Sequence, residues 1–405
     1  MAFSLRKALF PKKELPKTMN IFQIFLLSVL LLYGGANFYV LHHLRQAFPR
    51  RKNVFALFWI LGALAYPLGR ILRSFFPGSL VFFLLFWGAL FLAGLIYGVF
   101  WAFLWDLLSL SKRIFRGRRE KNPRKARAFW ILAGSVTALL LLWGYRNAAF
   151  PRIATLSLEA PSPGIGIGEE RNYRIAFLSD IHAGKIVAKK RLNTIRELLY
   201  TASPDMVILG GDILENAPRI ADAIGFPQTM ESMKAPLGLY GITGNHEYYA
   251  GLDILLPYFE KCGITMLRDE AVLVDNAFLL LGRNDRRAAQ FGDTRKNPEE
   301  ILSALPEEYR NYPLIIANHT PTREDFLQAL ECDALLQLSG HTHHGQLFPF
   351  NFITASLFQK SWGLFTEGNT SLYVSSGAGT WGPPIRTNSV SEIVLIRLRL
   401  YPQEF

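Results

Sequence analysis

The sequence predicts an α/β protein in which N-terminal transmembrane helices precede an α/β domain. Four long apolar segments lie within the first 149 of the 405 residues. After residue 172, apolar strand-like runs alternate with polar helical runs, as in α/β domains. The charges divide the same way, since residues 1–149 hold 21 Lys and Arg against 3 Asp and Glu. We therefore expect a membrane domain at residues 1–149, a linker at 150–171 and an α/β domain at 172–405.

The four apolar segments cover residues 21–41, 54–69, 79–105 and 128–145. A helix needs about 20 predominantly apolar residues to cross the hydrocarbon core of a bilayer. The second segment is shorter, but it can extend through Arg70 and Arg73 if those side chains snorkel towards the interface. The segments show no polar face, which disfavours buried core helices. They predict about four transmembrane helices.

The connections between these segments carry an uneven basic charge. The third connection, residues 111–128, holds nine Lys and Arg, and the first, residues 42–53, holds four. Short basic loops stay in the cytoplasm. Four spans then place both the N-terminus and the α/β domain outside, although five basic residues in the N-terminal tail oppose this. We expect a multi-pass protein of the cell membrane with an extracytoplasmic α/β domain.

Composition excludes two classes of function. Residues 150–405 hold 23 Lys and Arg against 29 Asp and Glu. A surface without a basic excess does not favour nucleic-acid binding. The apolar segments offer almost no charge besides Asp106, whereas transport sites within membranes usually need ionisable side chains. The sequence therefore predicts neither a nucleic-acid partner nor a transporter.

Polar side chains follow five apolar strand-like runs in the second half of the chain. In α/β sheets, ligands bind beyond the carboxyl ends of the strands. One such residue is ordinary turn chemistry, but five runs use most histidines of the chain, and histidine is the commonest side-chain metal ligand. The residues are Asp180 and His182, Asp212, Asn245 and His246, His319, and His341 and His343.

These side chains offer carboxylate, imidazole and amide groups without a thiolate. Such a set suits Mn, Fe or Zn better than a structural Zn–Cys site. Their number exceeds the needs of one ion, so we expect two divalent metal ions, which can clamp the attacking and leaving oxygens of an in-line displacement. A metal pair needs a bridging carboxylate. Asp212 suits that role because Gly210 and Gly211 let the backbone come close.

The order of these residues resembles the calcineurin-like metallophosphoesterase superfamily. All five of its sequence blocks are present in the superfamily's order, within residues 174–398. Residues 375–395 resemble its membrane-anchored bacterial branch, which is similar to some UDP-diacylglucosamine pyrophosphatases. The blocks are Asp180-Ile181-His182, Gly211-Asp212, Gly244-Asn245-His246-Glu247, Asn318-His319 and Gly340-His341-Thr342-His343.

The resemblance implies a two-sheet α/β/β/α sandwich and a division of the ligands between two ions. A metal-bridging hydroxide would attack phosphorus, and His246 would donate a proton to the leaving oxygen rather than bind metal. One ion would be held by Asp180, His182, Asp212 and His343, and the other by Asp212, Asn245, His319 and His341.

These features predict a membrane-bound phosphoesterase that hydrolyses a phosphodiester or pyrophosphate bond. Its partners would be the lipid bilayer and a phosphate ester, and anchoring favours a lipid-linked or envelope substrate without requiring one. Arg386 is a candidate substrate contact because a guanidinium suits phosphate. Two matters stay open: Glu247 could support a ligand or start a turn, and residues 352–365 could line an acyl site, touch the bilayer or join the core. The alternative function is a catalytically silent, metal-binding sensory membrane protein, which would have no need of His246 as a proton donor.

Overall fold

The computed structural model describes residues 21–72, 78–116, 122–215 and 217–403. They fall into two compact units, residues 1–64 with 94–135 and residues 65–93 with 136–405. Arg73, the basic N-terminal tail (residues 1–20) and residues 117–121 of the basic third connection lie outside the described residues.

Four long helices carry the apolar segments, and each is long and apolar enough to cross a membrane. This confirms the four segments predicted from the sequence. The second extends beyond the apolar core predicted for it and includes Arg70 in its last turn. The helices are α1 (Ile21–Ala47), α2 (Lys52–Leu72), α3 (Ser79–Arg116) and α4 (Pro123–Ala149).

Polar side chains of the first unit pair with one another. Tyr39 donates a hydrogen bond of 2.6 Å to Asp106, and His43 Nε2 lies 3.3 Å from the same carboxylate. Trp59 donates to Asn37 at 3.0 Å. Such pairing is expected among apolar helices, because an unpaired polar group in a lipid environment is costly.

Two six-stranded sheets form the second unit together with surrounding helices. The first sheet has the order β1-β12-β2-β3-β4-β5 and the second has the order β10-β11-β9-β8-β7-β6. In each, four neighbouring strands run parallel: β2 to β5 in the first, and β7, β8, β9 and β11 in the second. The strands are β1 (Arg152–Ser162), β2 (Arg171–Leu178), β3 (Met206–Leu209), β4 (Leu239–Gly241), β5 (Thr265–Met266), β6 (Glu270–Val274), β7 (Phe278–Gly282), β8 (Leu314–Ala317), β9 (Leu336–Ser339), β10 (Gly363–Glu367), β11 (Thr370–Val374) and β12 (Glu392–Pro402).

The main apolar core draws side chains from both sheets, including Phe177 and Ile208 from the first and Phe278 and Leu338 from the second. Further apolar clusters pack helices against the other face of each sheet. Along the strands, buried side chains point alternately to the core between the sheets and to the helices outside, as face-to-face packing of sheets requires. The predicted α/β/β/α sandwich is therefore confirmed.

Eight shorter helices complete the second unit. The side chain of Thr322 caps α11 by accepting a hydrogen bond from the Asp325 amide. The helices are α5 (Lys189–Ala202), α6 (Pro218–Ala223), α7 (Phe226–Glu231), α8 (Asn245–Ala250), α9 (Leu252–Lys261), α10 (Pro298–Leu302), α11 (Arg323–Glu331) and α12 (Phe350–Leu357).

The segment predicted as a linker, residues 150–171, contributes β1 to the first sheet. The sequence predicts only a short strand at residues 153–158, whereas β1 pairs in parallel with β12 from Arg152 to Ser162. The end of α4 is also tied to this unit: the Gly144 carbonyl accepts a hydrogen bond from the Arg386 amide at 2.9 Å. The boundaries at 149 and 172 stay a prediction.

Candidate metal centre

The loops after the parallel strands of both sheets meet at one edge of the sandwich. Within the first sheet, the Asp180 amide donates to the Gly211 carbonyl at 3.0 Å and the His182 amide to the Asp212 carbonyl at 2.9 Å. Between the sheets, the His341 amide donates to both oxygens of the Asp180 carboxylate, at 3.0 and 3.1 Å. Strand ends that are distant in sequence therefore form a single site.

Several residues of this site have left-handed backbone conformations. Residues other than glycine rarely adopt a positive φ, and those that do are often found at functional sites. At strand ends, this conformation turns the chain sharply. The residues and their φ angles are Asp180 (52°), His182 (47°), Asp212 (51°), His341 (69°), His343 (46°) and His344 (50°).

The first group of candidate ligands comprises Asp180, His182 and His343. One possible ligand atom from each lies within 4.8 Å of the others. His343 Nε2 lies 3.1 Å from His182 Nε2 and 3.4 Å from Asp180 Oδ1. All three residues are buried.

The second group comprises Asp212, His319 and His341, whose ligand atoms also lie within 4.8 Å of one another. Asp212 Oδ2 lies 3.4 Å from His319 Nε2 and 3.7 Å from His182 Nε2 of the first group. His341 Nδ1 lies 3.3 Å from His319 Nε2. The Asp212 carboxylate thus faces imidazoles of both groups, as expected for a bridging ligand.

The donor atoms fit divalent cations. Two pairs of imidazole nitrogens approach to 3.1 and 3.3 Å, where their lone pairs would repel unless a proton or a cation lies between them. The buried Oδ1 of Asn245 has no hydrogen-bond partner among the described residues. A buried acceptor is costly when unpaired, so a cation would satisfy it. The surrounding carboxylates and imidazoles match the preferences of Mn, Fe or Zn.

Two glycines allow the loops to come this close. Gly211 has φ of +84°, and a Cβ there would lie 2.7 Å from His319 Nδ1. A Cβ at Gly340 would clash with the Asp180 carboxylate. Any larger residue at either position would push apart the loops that carry the candidate ligands.

Glu215 joins His182 and His246 and was missed in the sequence. Its Oε2 lies 3.1 Å from Nδ1 of each histidine. Burial alone would raise the pKa of Glu215, but the hydrogen bonds to both histidines lower it to about 2. The signal available was an acid three residues after Asp212, following two apolar residues in the same turn.

His246 lies beside the first group and is mostly buried. Burial opposes its protonation, but the bond to Glu215 and the charge of Asp212 together raise the pKa of His246. Its ring centroid is 4.6 Å from that of His182. Its ring nitrogen also comes within 4.8 Å of ligand atoms of His182 and Asp212. The expectation that His246 acts as a proton donor rather than a ligand stays a prediction.

Glu247 supports the turn that carries Asp212. Its carboxylate accepts hydrogen bonds from the amides of Asp212 and Ile213 at 2.9 Å and of Gly244 at 2.8 Å. Burial, followed by the Asp212 charge, raises the pKa of Glu247, while the backbone donors act in the opposite direction. For Asp212, burial would raise the pKa, but the histidines, His319 foremost, hold it well below its usual value. Glu247 therefore contacts the ligand-bearing backbone rather than a histidine.

Arg386 is fully buried next to His343. Its Nη2 lies 3.1 Å from His343 Nδ1, and its Nη1 donates to the His343 carbonyl at 3.2 Å. Further bonds reach the Gly377 and Gly379 carbonyls. Burial, then the charges of Arg386 and His182, hold the pKa of His343 well below its usual value. These contacts favour a role in orienting His343, and a direct substrate contact by Arg386 stays a prediction.

His344 and the apolar segment after it lie around the candidate ligands. His344 belongs to neither ligand group: its Nδ1 lies 3.0 Å from the Ser361 hydroxyl and its ring packs on Trp362. The Phe358 ring packs edge-on against His341, with centroids 5.6 Å apart. Part of the segment 352–365 therefore covers a candidate ligand, which the sequence left open.

The chain is similar to known metallophosphoesterases. The calcineurin-like phosphoesterase family profile matches residues 173–345. An uncharacterised metallophosphoesterase of Helicobacter pylori is 31% identical over 309 residues, covering 74% of this chain and 80% of the relative. One from Campylobacter jejuni is 29% identical over 388 residues, covering 94% and 99%. A Danio rerio transmembrane protein with metallophosphoesterase domain is 30% identical over 315 residues, covering 74% and 70%.

Proposed function

The chain belongs to the calcineurin-like phosphoesterase family, and we propose that it hydrolyses phosphodiester or pyrophosphate bonds with two divalent metal ions. The observation that carries this proposal is the Asp212 carboxylate, which faces imidazoles of both ligand groups. Each group supplies a carboxylate and two imidazoles. When bound, two ions would polarise the phosphoryl oxygens and lower the pKa of water.

The protein's own groups divide the remaining work. Glu215 accepts a hydrogen bond from His246 and stabilises its protonated form, which suits a donor to the leaving oxygen. Glu247 fixes the backbone around Asp212, and Arg386 fixes His343. Ligands held in this way are preorganised, so little reorganisation is needed during the reaction.

We assign the protein to the membrane as a multi-pass protein with its site outside the cytoplasm. Four helices are long and apolar enough to span a membrane. If each crosses once, the ends of α2 and α4 share a side, opposite to the basic connections, which stay in the cytoplasm. The first strand of the sandwich follows directly after α4. That placement favours a substrate in or on the outer leaflet, such as a lipid-linked phosphate ester.

The direct test is hydrolysis by the purified full chain across a panel of phosphomonoesters, diesters and pyrophosphates, lipid-linked ones included. Each would be assayed with Mn²⁺, Fe²⁺ or Zn²⁺. We expect cleavage of a diester or pyrophosphate that Asp212→Asn abolishes and His344→Ala preserves. If no ester is cleaved, the protein is a silent metal-binding protein instead. If Asp212→Asn retains full activity, the hydrolysis does not depend on the proposed metal centre.

A further inference from the structure

A cavity beside the candidate metal ligands is lined partly by the long apolar helices. Tyr66 and Arg70 of α2 and Leu85 of α3 line it together with His182 and Glu215. All five residues belong to the same compact unit. A molecule in this cavity would touch membrane-type helices and the metal centre at once.

The two helices are packed closely where they line the cavity. A Cβ at Gly88 of α3 would clash with the backbone of Tyr66 in α2. A Cβ at Gly69 of α2 would lie 3.0 Å from Cγ of Leu85. Small residues allow such close backbone contact between apolar helices. The positions of Tyr66, Arg70 and Leu85 are therefore fixed by helix packing.

Arg70 is the only charged residue in the described residues of this unit that precede α4, 65–72 and 78–93. It lies in the last turn of α2, where an arginine can direct its guanidinium to the membrane interface. Its Nη1 lies 3.9 Å from Glu215 Oε1, beyond hydrogen-bond distance, and its side chain is 45% exposed. Glu215 is already engaged by His182 and His246. Arg70 thus keeps guanidinium donors available for another anion.

From these contacts we infer that Arg70 binds the phosphate-bearing headgroup of a membrane lipid, whose alkyl chain lies against Tyr66 and Leu85. The inference rests on the proposed phosphoesterase function and names its substrate class, an amphiphile held in the bilayer. The guanidinium fork matches the geometry of phosphate oxygens. Lys185, which also lines the cavity, adds positive charge. The headgroup would reach His182 and the metal ligands while the chain stays among apolar helices.

The first experiment measures binding without hydrolysis. A hexadecyl phosphate with a diazirine in its alkyl chain is irradiated with the full-length protein in detergent micelles, and labelled peptides are mapped by mass spectrometry. We expect labelling of peptides containing Tyr66 and Leu85, competed by excess hexadecyl phosphate and reduced about tenfold in Arg70→Ala, since a charged hydrogen bond is lost. Arg146→Ala is the matched control, because Arg146 is an exposed arginine in the last turn of α4 and does not line the cavity.

The second experiment uses 4-nitrophenyl hexadecyl phosphate as a substrate. Loss of a phosphate contact in Arg70→Ala should raise KM about tenfold and keep kcat within about twofold, with partial rescue in Arg70→Lys. A fall in kcat at constant KM would mean that Arg70 acts only through Glu215, and would overturn the inference. So would labelling elsewhere, labelling that survives in Arg70→Ala, or an equal effect of Arg146→Ala. If the proposed function alone fails, the label binds as expected while the wild type cleaves no ester.

Discussion

The two sheets of the sandwich contribute different chemistry to the same site. Loops of the first sheet supply both carboxylates, Asp180 and Asp212, whereas loops of the second supply imidazoles only. Each of the two ligand groups mixes side chains from both sheets. Both groups therefore depend on the packed sheets bringing their strand ends together, although His182, Asp212 and His246 of the first sheet also lie within 4.8 Å of one another.

The buried charged residues that hold these candidate ligands in place also differ between the two sheets. On the first sheet, the buried carboxylate of Glu247 accepts backbone hydrogen bonds around Asp212. On the second, the buried guanidinium of Arg386 contacts His343. An anion supports the turn that carries Asp212, and a cation supports the turn that carries His343.

The largest expected effect is that of removing the negative charge of Asp212. Asp212→Asn keeps the shape of the side chain but removes its negative charge. Asp212 faces imidazoles of both groups. We expect phosphoesterase activity to fall at least a hundredfold, roughly the loss seen when preorganised charge stabilisation is removed. Steady-state kinetics with added Mn²⁺ measure it. Activity close to wild type would mean that the Asp212 carboxylate of the first sheet is not needed. That result would contradict the difference described between the two sheets.

A smaller effect is expected for Glu215→Gln, which acts through the two histidines it contacts. We expect a loss of about ten- to a hundredfold, typical of groups that orient metal ligands. The pH profile should also change. A protonated His246 is lost as pH rises through its pKa, and Glu215 helps to raise that pKa. In Glu215→Gln the alkaline limb of activity should therefore move to lower pH, and an unmoved limb would argue against His246 as the acid.

Asp325→Asn tests the outer side of the second sheet. Asp325 is buried, pairs with Arg283 at 3.1 Å and contacts Arg295, which also donates to Asn318 beside His319. Removing one partner of a buried ion cluster is strongly destabilising, so we expect Tm to fall by roughly 5–10 °C. Thermal unfolding in detergent measures it, with activity per folded molecule as the control.

The effect of Asp325 on stability should depend on pH. Burial raises the pKa of Asp325, but Arg295, Thr322 and Arg283 together lower it below its usual value. A carboxyl group whose pKa is lowered by folding stabilises the folded state fully above its pKa in the unfolded chain. This stabilisation is lost as pH falls through its pKa in the folded protein. The difference in Tm between wild type and variant should therefore shrink below about pH 4. A constant difference down to lower pH would contradict the ion-pair explanation.

The smallest effect is expected for His344→Ala, which should be compared with His343→Ala. The two residues are neighbours with the same unusual backbone, yet only His343 belongs to a ligand group. We expect less than about a twofold loss of activity for His344→Ala and at least a hundredfold loss for His343→Ala. Equal losses in both variants would mean that the loop as a whole, rather than the His343 ligand atom, is required.

Sequence patterns predicted the strand ends well because each polar side chain follows an apolar run in the chain itself. Asp180, Asp212 and His319 could be placed in this way without tertiary information. The full extent of β1 could not, because its partner β12 begins at Glu392, far along the chain. Contacts that cross between loops, such as Arg386 with His343, are likewise invisible in the sequence. The pattern of polar residues after strands could have pointed to Glu215. Its contacts with His182 and His246 depend on the tertiary structure.

The most direct test of a site shared by two sheets is the metal content of the purified protein. Inductively coupled plasma mass spectrometry on the full chain, loaded with Mn²⁺ and freed of excess ion, counts the bound ions. We predict two ions per wild-type chain and fewer than two in Asp212→Asn, with hydrolysis lost on chelation and restored by metal. One ion or none in the wild type, or two in Asp212→Asn, would contradict a bridging Asp212.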